Sequence, residues 1–325
     1  MNAIVDPDGP KLAVVASNPV PQGARVSWLK TPDNVRLRYA TFPKGPGPAR
    51  GTVCLVHGRT EFIEKYFETI ADLQARGFAV ATFDWRGQGA SDRLIRNRAL
   101  GHVRHYDDYV ADLMLFHREV LLPDCPGPYH LVGHSMSGLV CLEVGRRDRM
   151  MFERIFLSAP MLGLDNQPLD TIGMARVAKA LTAIGLGRLP VGRKSDGEQS
   201  VDGFAGNPLT SDLARYTRNL DVLKAAPELA VGNPTIGWVA AAYQAMARSL
   251  EDSFPTEVKI PVLMLAAARD EIVSIRATET LGLRMRTGRH LIVPGARHEL
   301  FMESDAIRGQ VLAAFDAFVT EASLA

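Results

Sequence analysis

Apolar residues recur along this chain at two spacings, and the order of those spacings predicts its elements. Val26-Ser27-Trp28-Leu29 and Val35-Arg36-Leu37-Arg38-Tyr39 alternate as half-buried strands do, with Pro32-Asp33-Asn34 as the turn between them. Thr52-Val53-Cys54-Leu55-Val56 is continuously apolar, as a parallel strand buried on both faces must be. From there strands and helices take turns. Phe62, Tyr66, Ile70 and Leu73 share one face of a helix over 62–75, and 78–83 reads as a strand. Tyr109, Leu113, Phe116 and Val120 mark a helix over 106–122. A strand before Ser135, a helix from Met136 and a strand over 155–158 follow. After a long interruption come a strand at 262–265, a helix at 275–283, a strand at 290–293 and a closing helix at 306–319. Such alternation predicts an α/β fold, with a mainly parallel central sheet and helices on both faces.

The interruption, 161–256, has helical stretches at 171–184, 211–225 and 236–249 and no convincing buried strand. A helical insertion between two sheet strands predicts a cap over the carboxyl ends of the strands, where open α/β sheets place their sites. The expected organisation is an N-terminal arm over 1–24, a core over 25–160 and 257–325, and a helical cap or lid over 161–256. The arm is rich in Pro, Asp and Gly and reads as poorly ordered.

Composition narrows the function classes. With 46% hydrophobic and 22% charged residues over 325 positions, the chain has an ordinary globular make-up. A net charge of +1, with basic residues scattered among acidic ones, argues against a nucleic-acid partner. Cys54, Cys125 and Cys141 are too few and too irregular for a disulfide framework or a zinc site. No stretch reads as a signal peptide core or approaches the roughly 20 apolar residues of a membrane span. The expectation is a cytoplasmic protein with no metal and no organic cofactor.

Candidate chemistry centres on Gly133-His134-Ser135-Met136-Ser137-Gly138, at a junction of strand and helix. The nucleophile elbow is G-x-S-x-G, and here the second glycine comes one residue late. Ser135 needs a base, and the base needs an orienting acid. Asp270 lies just past one buried strand and His298 just past the next, in the order Ser, Asp, His that such folds use. Taken singly, Ser135 is a loop serine, His298 a surface histidine and Asp270 a helix cap; only their joint order argues otherwise. Glu271 is the rival acid, and Asp270 is preferred because it comes first after its strand. A tetrahedral intermediate also needs two oxyanion donors. These are expected to be the N–H of Met136 and, beyond Gly58, the N–H of Arg59. The Arg59 side chain is either a solvated charge or a receptor for an anionic substrate group such as a phosphate.

Together, "LVHGRTEFIEKY", "FDWRGQGASDR", "GHSMSG", "AAARDEIVS" and "GARHELFME" resemble the lysophospholipase and monoglyceride-lipase group of α/β-hydrolases, from about residue 25 to the end. The resemblance implies the α/β-hydrolase fold, Ser135 as nucleophile, Asp270 and His298 as its relay, and Arg59 and Met136 as oxyanion donors. It also implies that Asp84–Gly89 is a structural turn and not a phosphate cradle. The group usually has glycine where this chain has Ser137.

The expected activity is hydrolysis of a carboxylic ester by a Ser-His-Asp triad, with a monoacyl lipid as favoured substrate, as for a lysophospholipase or a monoacylglycerol lipase; the expected partner is a small-molecule acyl ester or lysolipid. In the cap, Ile172, Ala175, Val177, Leu181, Ile184, Leu186 and Leu189 either pack it onto the sheet or line an acyl channel and rest on a micelle or membrane surface. Gly185, Gly187 and Pro190 suit a flexible lid, and Trp238 and Tyr216 frame the pocket or anchor cap helices. Three alternatives share the fold. One is a small-ester carboxylesterase or lactonase. Another is a proline-type aminopeptidase, which needs acidic cap residues such as Asp202, Asp212, Asp221 or Glu228. The third is a non-catalytic ligand receptor.

Overall fold

A computed structural model describes residues 9–192 and 201–320, with the side chains of residues 201 and 202 outside the description. Eight strands form one sheet in the order β1-β2-β4-β3-β5-β6-β7-β8. They are β1 (Arg25–Lys30), β2 (Arg36–Phe42), β3 (Thr52–Val56), β4 (Ala79–Phe83), β5 (Tyr129–His134), β6 (Arg154–Ser158), β7 (Val262–Ala267) and β8 (Gly288–Val293). β1 and β2 pair antiparallel across a tight turn in which Asn34 takes a left-handed φ of +65°, and β2 meets β4 antiparallel. All pairings from β4 through to β8 are parallel. β3 through β7 are buried along their length, and only the edge strand β8 exposes apolar residues, Leu291 and Ile292.

Strand side chains alternate between two cores, as the pleat requires. Cys54, Val56, Leu131 and Leu157 face α2 (Tyr106–Phe116) and α4 (Ser137–Arg147). Val53, Leu55, Val132 and Phe156 face α1 (Phe67–Ala75) and α10 (Asp305–Thr320). Between β6 and β7 the described chain is helical: α5 (Thr171–Ala183), α6 (Leu213–Ala225), α7 (Ile236–Ser249) and the short α8 (Phe254–Glu257); β7 then returns to the sheet, and α9 (Ile275–Arg284) connects it to β8. Among the described residues of this stretch none enters the sheet.

The structure departs from the sequence expectations in three places. The helix expected over 62–75 splits, because Phe62 is extended (φ −156°) and a 3-10 turn over Ile63–Tyr66 precedes α1. Phe62 thereby leaves the sheet and packs against Val222, Ala226 and Leu229. The helix expected over 106–122 widens into a π turn at His117–Leu121 before the short α3 (Leu122–Asp124), next to Pro123, which has no N–H to continue the ladder. Finally, residues 9–24 are not a loose arm. The Ala13 amide donates to Glu64 Oε1, Asn18 Nδ2 donates to the Glu64 carbonyl, and the Lys11 carbonyl accepts from Arg38. Residues 1–8 lie outside the description.

That contact leads to a buried charge cluster. Arg38, 1% exposed, donates to both oxygens of Glu64 at 2.7 Å and to Asp84 Oδ2 at 2.7 Å. Burial alone would raise the Asp84 carboxyl; Arg38 and His57 outweigh it and hold the group at about 2. Removing the cation leaves two buried carboxylates uncompensated, so Arg38→Met is expected to lose about 3–5 kcal/mol in urea unfolding. A loss under about 1 kcal/mol would show that water or rearrangement replaces the arginine.

Candidate active site

β5 delivers Ser135 to the carboxyl edge of the sheet, and the backbone turns there at φ +52°. A non-glycine residue rarely takes this conformation, and it persists where neighbours over-determine it. The Ser135 amide donates to the Ser158 carbonyl at 3.0 Å, and its own carbonyl accepts from Gly138 and Met161, both at 2.9 Å. The turn can be this tight because two flanking residues lack side chains. A Cβ on Gly133 would stand 2.6 Å from Cys141 Sγ, and one on Gly138 would stand 2.5 Å from Pro160 Cβ. Ser137 occupies the place between with no strain of its own. Its buried hydroxyl accepts from the His134 amide at 2.8 Å and lies 2.8 Å from the His134 carbonyl and 3.0 Å from the Val56 carbonyl. It ties the ends of β3 and β5.

Loops after β7 and β8 bring in the partners. His298 Nε2 lies 2.9 Å from Ser135 Oγ, and His298 Nδ1 lies 2.8 Å from Asp270 Oδ2. The other Asp270 oxygen accepts the amides of Ile272 and Val273, both at 2.9 Å. Burial would raise the Asp270 carboxyl, but the bonds from His298, Val273 and Ile272 hold it below the ordinary carboxylate range. Glu271 is exposed and has no part in the cluster.

Two amides have no partner among the described residues, that of Met136, which follows Ser135 in the chain, and that of Arg59, which lines the same cavity. Around Arg59 the loop is fully committed: Gly58 N–H donates to Glu61 Oε2 at 2.5 Å and Thr60 N–H to Gln88 Oε1 at 2.6 Å. Gly58 has to be glycine, since a Cβ there would come within 3.2 Å of Ser135 Cβ and 2.9 Å of Glu61 Oε2. Glu61 is itself gripped by Lys65 Nζ at 2.7 Å and the Tyr66 hydroxyl at 2.8 Å. Tyr106 donates to the Met136 carbonyl at 2.6 Å.

Residues matched to a family model described as serine aminopeptidase, S33, run from 47 to 305. The chain belongs to this family of α/β-hydrolases. Lysophospholipase L2 of Escherichia coli is 32% identical to this S33 chain, over 88% of it and 84% of the relative. The mouse monoglyceride lipase is 23% identical over 87% and 86%. A crystal structure of the Saccharomyces cerevisiae monoglyceride lipase superposes with a TM-score of 0.72 at 21% identity, covering 96% of this chain and 97% of that one, which shows the shared fold.

In this S33 member the serine opens into a cavity of about 290 Å³, lined by Gly58, Ser135 and His298 together with Leu209, Tyr216 and Trp238. Trp238 also donates to the Tyr109 hydroxyl at 3.2 Å, and Tyr216 packs on Phe204, so each both anchors a helix and lines the cavity. The apolar residues expected to line an acyl channel do not reach it. Ala175 is buried, whereas Ile172, Val177, Leu189 and Ile184 are exposed, the last by 73%. They lie on the outward side of α5 and just beyond it.

The floor of the cavity carries charge that sequence reasoning missed. Lys65 Nζ is 2.5 Å from Glu299 Oε1 as well as bound to Glu61. Burial would lower the Lys65 ammonium, yet Glu299 and Glu61 raise it, so it stays charged. The His134 ring lies 4.9 Å from that of His298; burial pulls it down to about 4, so at neutral pH it is uncharged and does not oppose a proton on His298. The signal was present in Glu61, Lys65 and Tyr66 at helical spacing, but only the fold points them at the loop before them.

Ser137→Gly removes a hydroxyl that satisfies buried backbone groups. It is expected to destabilise the protein by about 1–3 kcal/mol in thermal or urea unfolding. Ser135 should remain reactive toward a fluorophosphonate probe; loss of that reactivity in a folded variant would give Ser137 a chemical role.

Proposed function

We propose that this chain is a serine hydrolase of carboxylic esters whose substrate is a monoacyl lipid, a lysophospholipid or a monoacylglycerol. The observation that carries the reading is the continuous line from Ser135 Oγ through His298 to Asp270, at 2.9 and 2.8 Å, together with two amides that have no partner among the described residues. His298 Nε2 takes the Ser135 proton as Oγ attacks the ester carbon. The amides of Arg59 and Met136 receive the negative oxygen, and Asp270 holds the imidazolium. Collapse breaks the ester bond, and His298 passes its proton to the departing alcohol oxygen. Water then loses a proton to His298 and attacks the acyl-enzyme, releasing the fatty acid and restoring Ser135.

Relatives named lysophospholipase and monoglyceride lipase favour the lipid class. So does the outward apolar surface of α5 and the segment after it, which suits the interface of a micelle or membrane. No helix among the described residues is long and apolar enough to cross a membrane. In this reading residues 161–256 act as the cap, with Gly185 at φ +91° in its hinge. Among the described residues no acid of 161–256 lines the cavity, whereas the peptidase reading needs one. Asp212 is bound to Arg215, Asp221 accepts from Ser17, neither they nor Glu228 line the cavity, and the Asp202 side chain lies outside the description.

Fluorophosphonate labelling is expected in the wild type and absent in Ser135→Ala. Asp270→Asn should lower kcat by about 10³–10⁴, the loss that follows when the base is held in the wrong tautomer. Activity confined to acetyl or butyryl esters, with no turnover of lysophospholipid or monoacylglycerol, would end the lipid assignment. A folded wild type that the probe leaves unlabelled would end the enzyme assignment.

A further inference from the structure

We infer that the Arg59 side chain is a specificity-determining group that receives a singly charged phosphate on the alcohol side of the scissile ester. The inference rests on the reading of Ser135 as nucleophile. Arg59 lines the same cavity as Ser135 and His298, and in that reading its backbone amide is an oxyanion donor. Its side chain therefore starts one residue from the chemistry.

What distinguishes Arg59 is the lack of a countercharge. Arg38, Arg86, Arg215 and Arg308 all meet carboxylates. Arg93 meets none but donates to the carbonyls of Ser91, Arg98, Glu228 and Ala230. Among the described residues the Arg59 side chain makes one hydrogen bond, from Nη2 to the Gly232 carbonyl, and stacks 5.2 Å from the Trp238 ring centre. Its Nε is sealed from solvent and has no partner there either. Burial pulls the guanidinium down to about 10, which leaves it charged at neutral pH. The cavity's other cation, Lys65, is neutralised by Glu61 and Glu299. Arg59 is thus the cation of this cavity that no carboxylate meets among the described residues.

The chemistry of that cation selects the anion. A guanidinium presents parallel N–H groups that match two phosphate oxygens. One buried cation balances one negative charge. A phosphodiester, as in a lysophospholipid with an esterified headgroup, carries one. A phosphomonoester carries nearly two, and the surplus would face the carboxylates of Glu61 and Glu299. A monoacylglycerol has none and leaves Arg59 uncompensated.

The contacts with Gly232 and Trp238 also make Arg59 a brace for the helices above the cavity, and loss of a brace would impair every ester alike. The test therefore compares kcat/KM for lysophosphatidylcholine, lysophosphatidic acid and 1-monoacylglycerol of one short acyl chain, below their micellar concentrations. Wild type is expected to prefer the phosphodiester. Arg59→Gln should lower the ratio of lysophosphatidylcholine to monoacylglycerol by roughly tenfold or more, as loss of a charge-assisted hydrogen bond predicts; Arg59→Lys should keep part of it. An equal fall for both substrates would overturn the inference and leave Arg59 a brace. If the variants do not fold, wild-type hydrolysis of p-nitrophenyl butyrate supplies the answer. Glycerophosphocholine should compete, and glycerol or inorganic phosphate at the same concentration should not. Inhibition by inorganic phosphate as strong as by glycerophosphocholine, or none by either, would also overturn it. A wild type that hydrolyses no ester and resists the fluorophosphonate would instead remove the underlying function, a separate and recognisable failure.

Discussion

One backbone angle organises this molecule: Ser135 at φ +52°. Holding a serine there costs on the order of 1–3 kcal/mol, and the return is a hydroxyl lifted clear of the sheet with a free amide behind it. The cost is met by hydrogen bonds to β6 and the segment after it, and by two glycines that let helix and strand approach. Ser137 belongs to the same solution. Its hydroxyl fits there because it has backbone groups to satisfy.

Charge provides the second layer of order. The loop His57–Glu61 runs between two buried clusters, one of Arg38, Glu64 and Asp84 and the other of Glu61, Lys65 and Glu299. Asp84 accepts the amide of Ile63 at one end, Glu61 accepts the amide of Gly58 at the other, and Gln88 takes that of Thr60. The turn after β4 that carries Asp84, Trp85 and Gln88 is therefore scaffold, with Trp85 Nε1 bonded to the His57 carbonyl. Because low dielectric makes unpaired charges expensive, each substitution in these clusters acts on the loop as well as on stability. The N-terminal segment joins the same network through Glu64 and Arg38.

The loop also reaches upward. Phe62 packs on Val222, Ala226 and Leu229, and Arg59 meets Gly232 and Trp238. Two residues of the loop that lines the cavity, Arg59 and Phe62, thus touch the segments above it. A shift of those segments has a direct mechanical path to the Arg59 amide, which lies next to a side chain they hold.

Periodicity determined the element order, the parallel sheet and the helical interruption, because burial imposes a spacing that short windows reveal, whereas Ser135, Asp270 and His298 were singled out by a motif, by chain order and by their places after strands. The choice of Asp270 over Glu271 followed from position after a strand, and its carboxylate is the one that meets His298. Spacing did not reveal that Phe62 would turn away from its helix, that 9–24 would be pinned down, or that α5 would turn Ile172, Val177 and Ile184 outward. Each depends on which neighbour supplies a surface. The charged floor was equally hidden, since Lys65, Glu61 and Glu299 lie far apart or on adjacent turns and only packing forces them together. Local sequence specifies what a segment prefers to be. Only the assembled chain decides which buried charges find partners and which, like Arg59, are left with one still to meet.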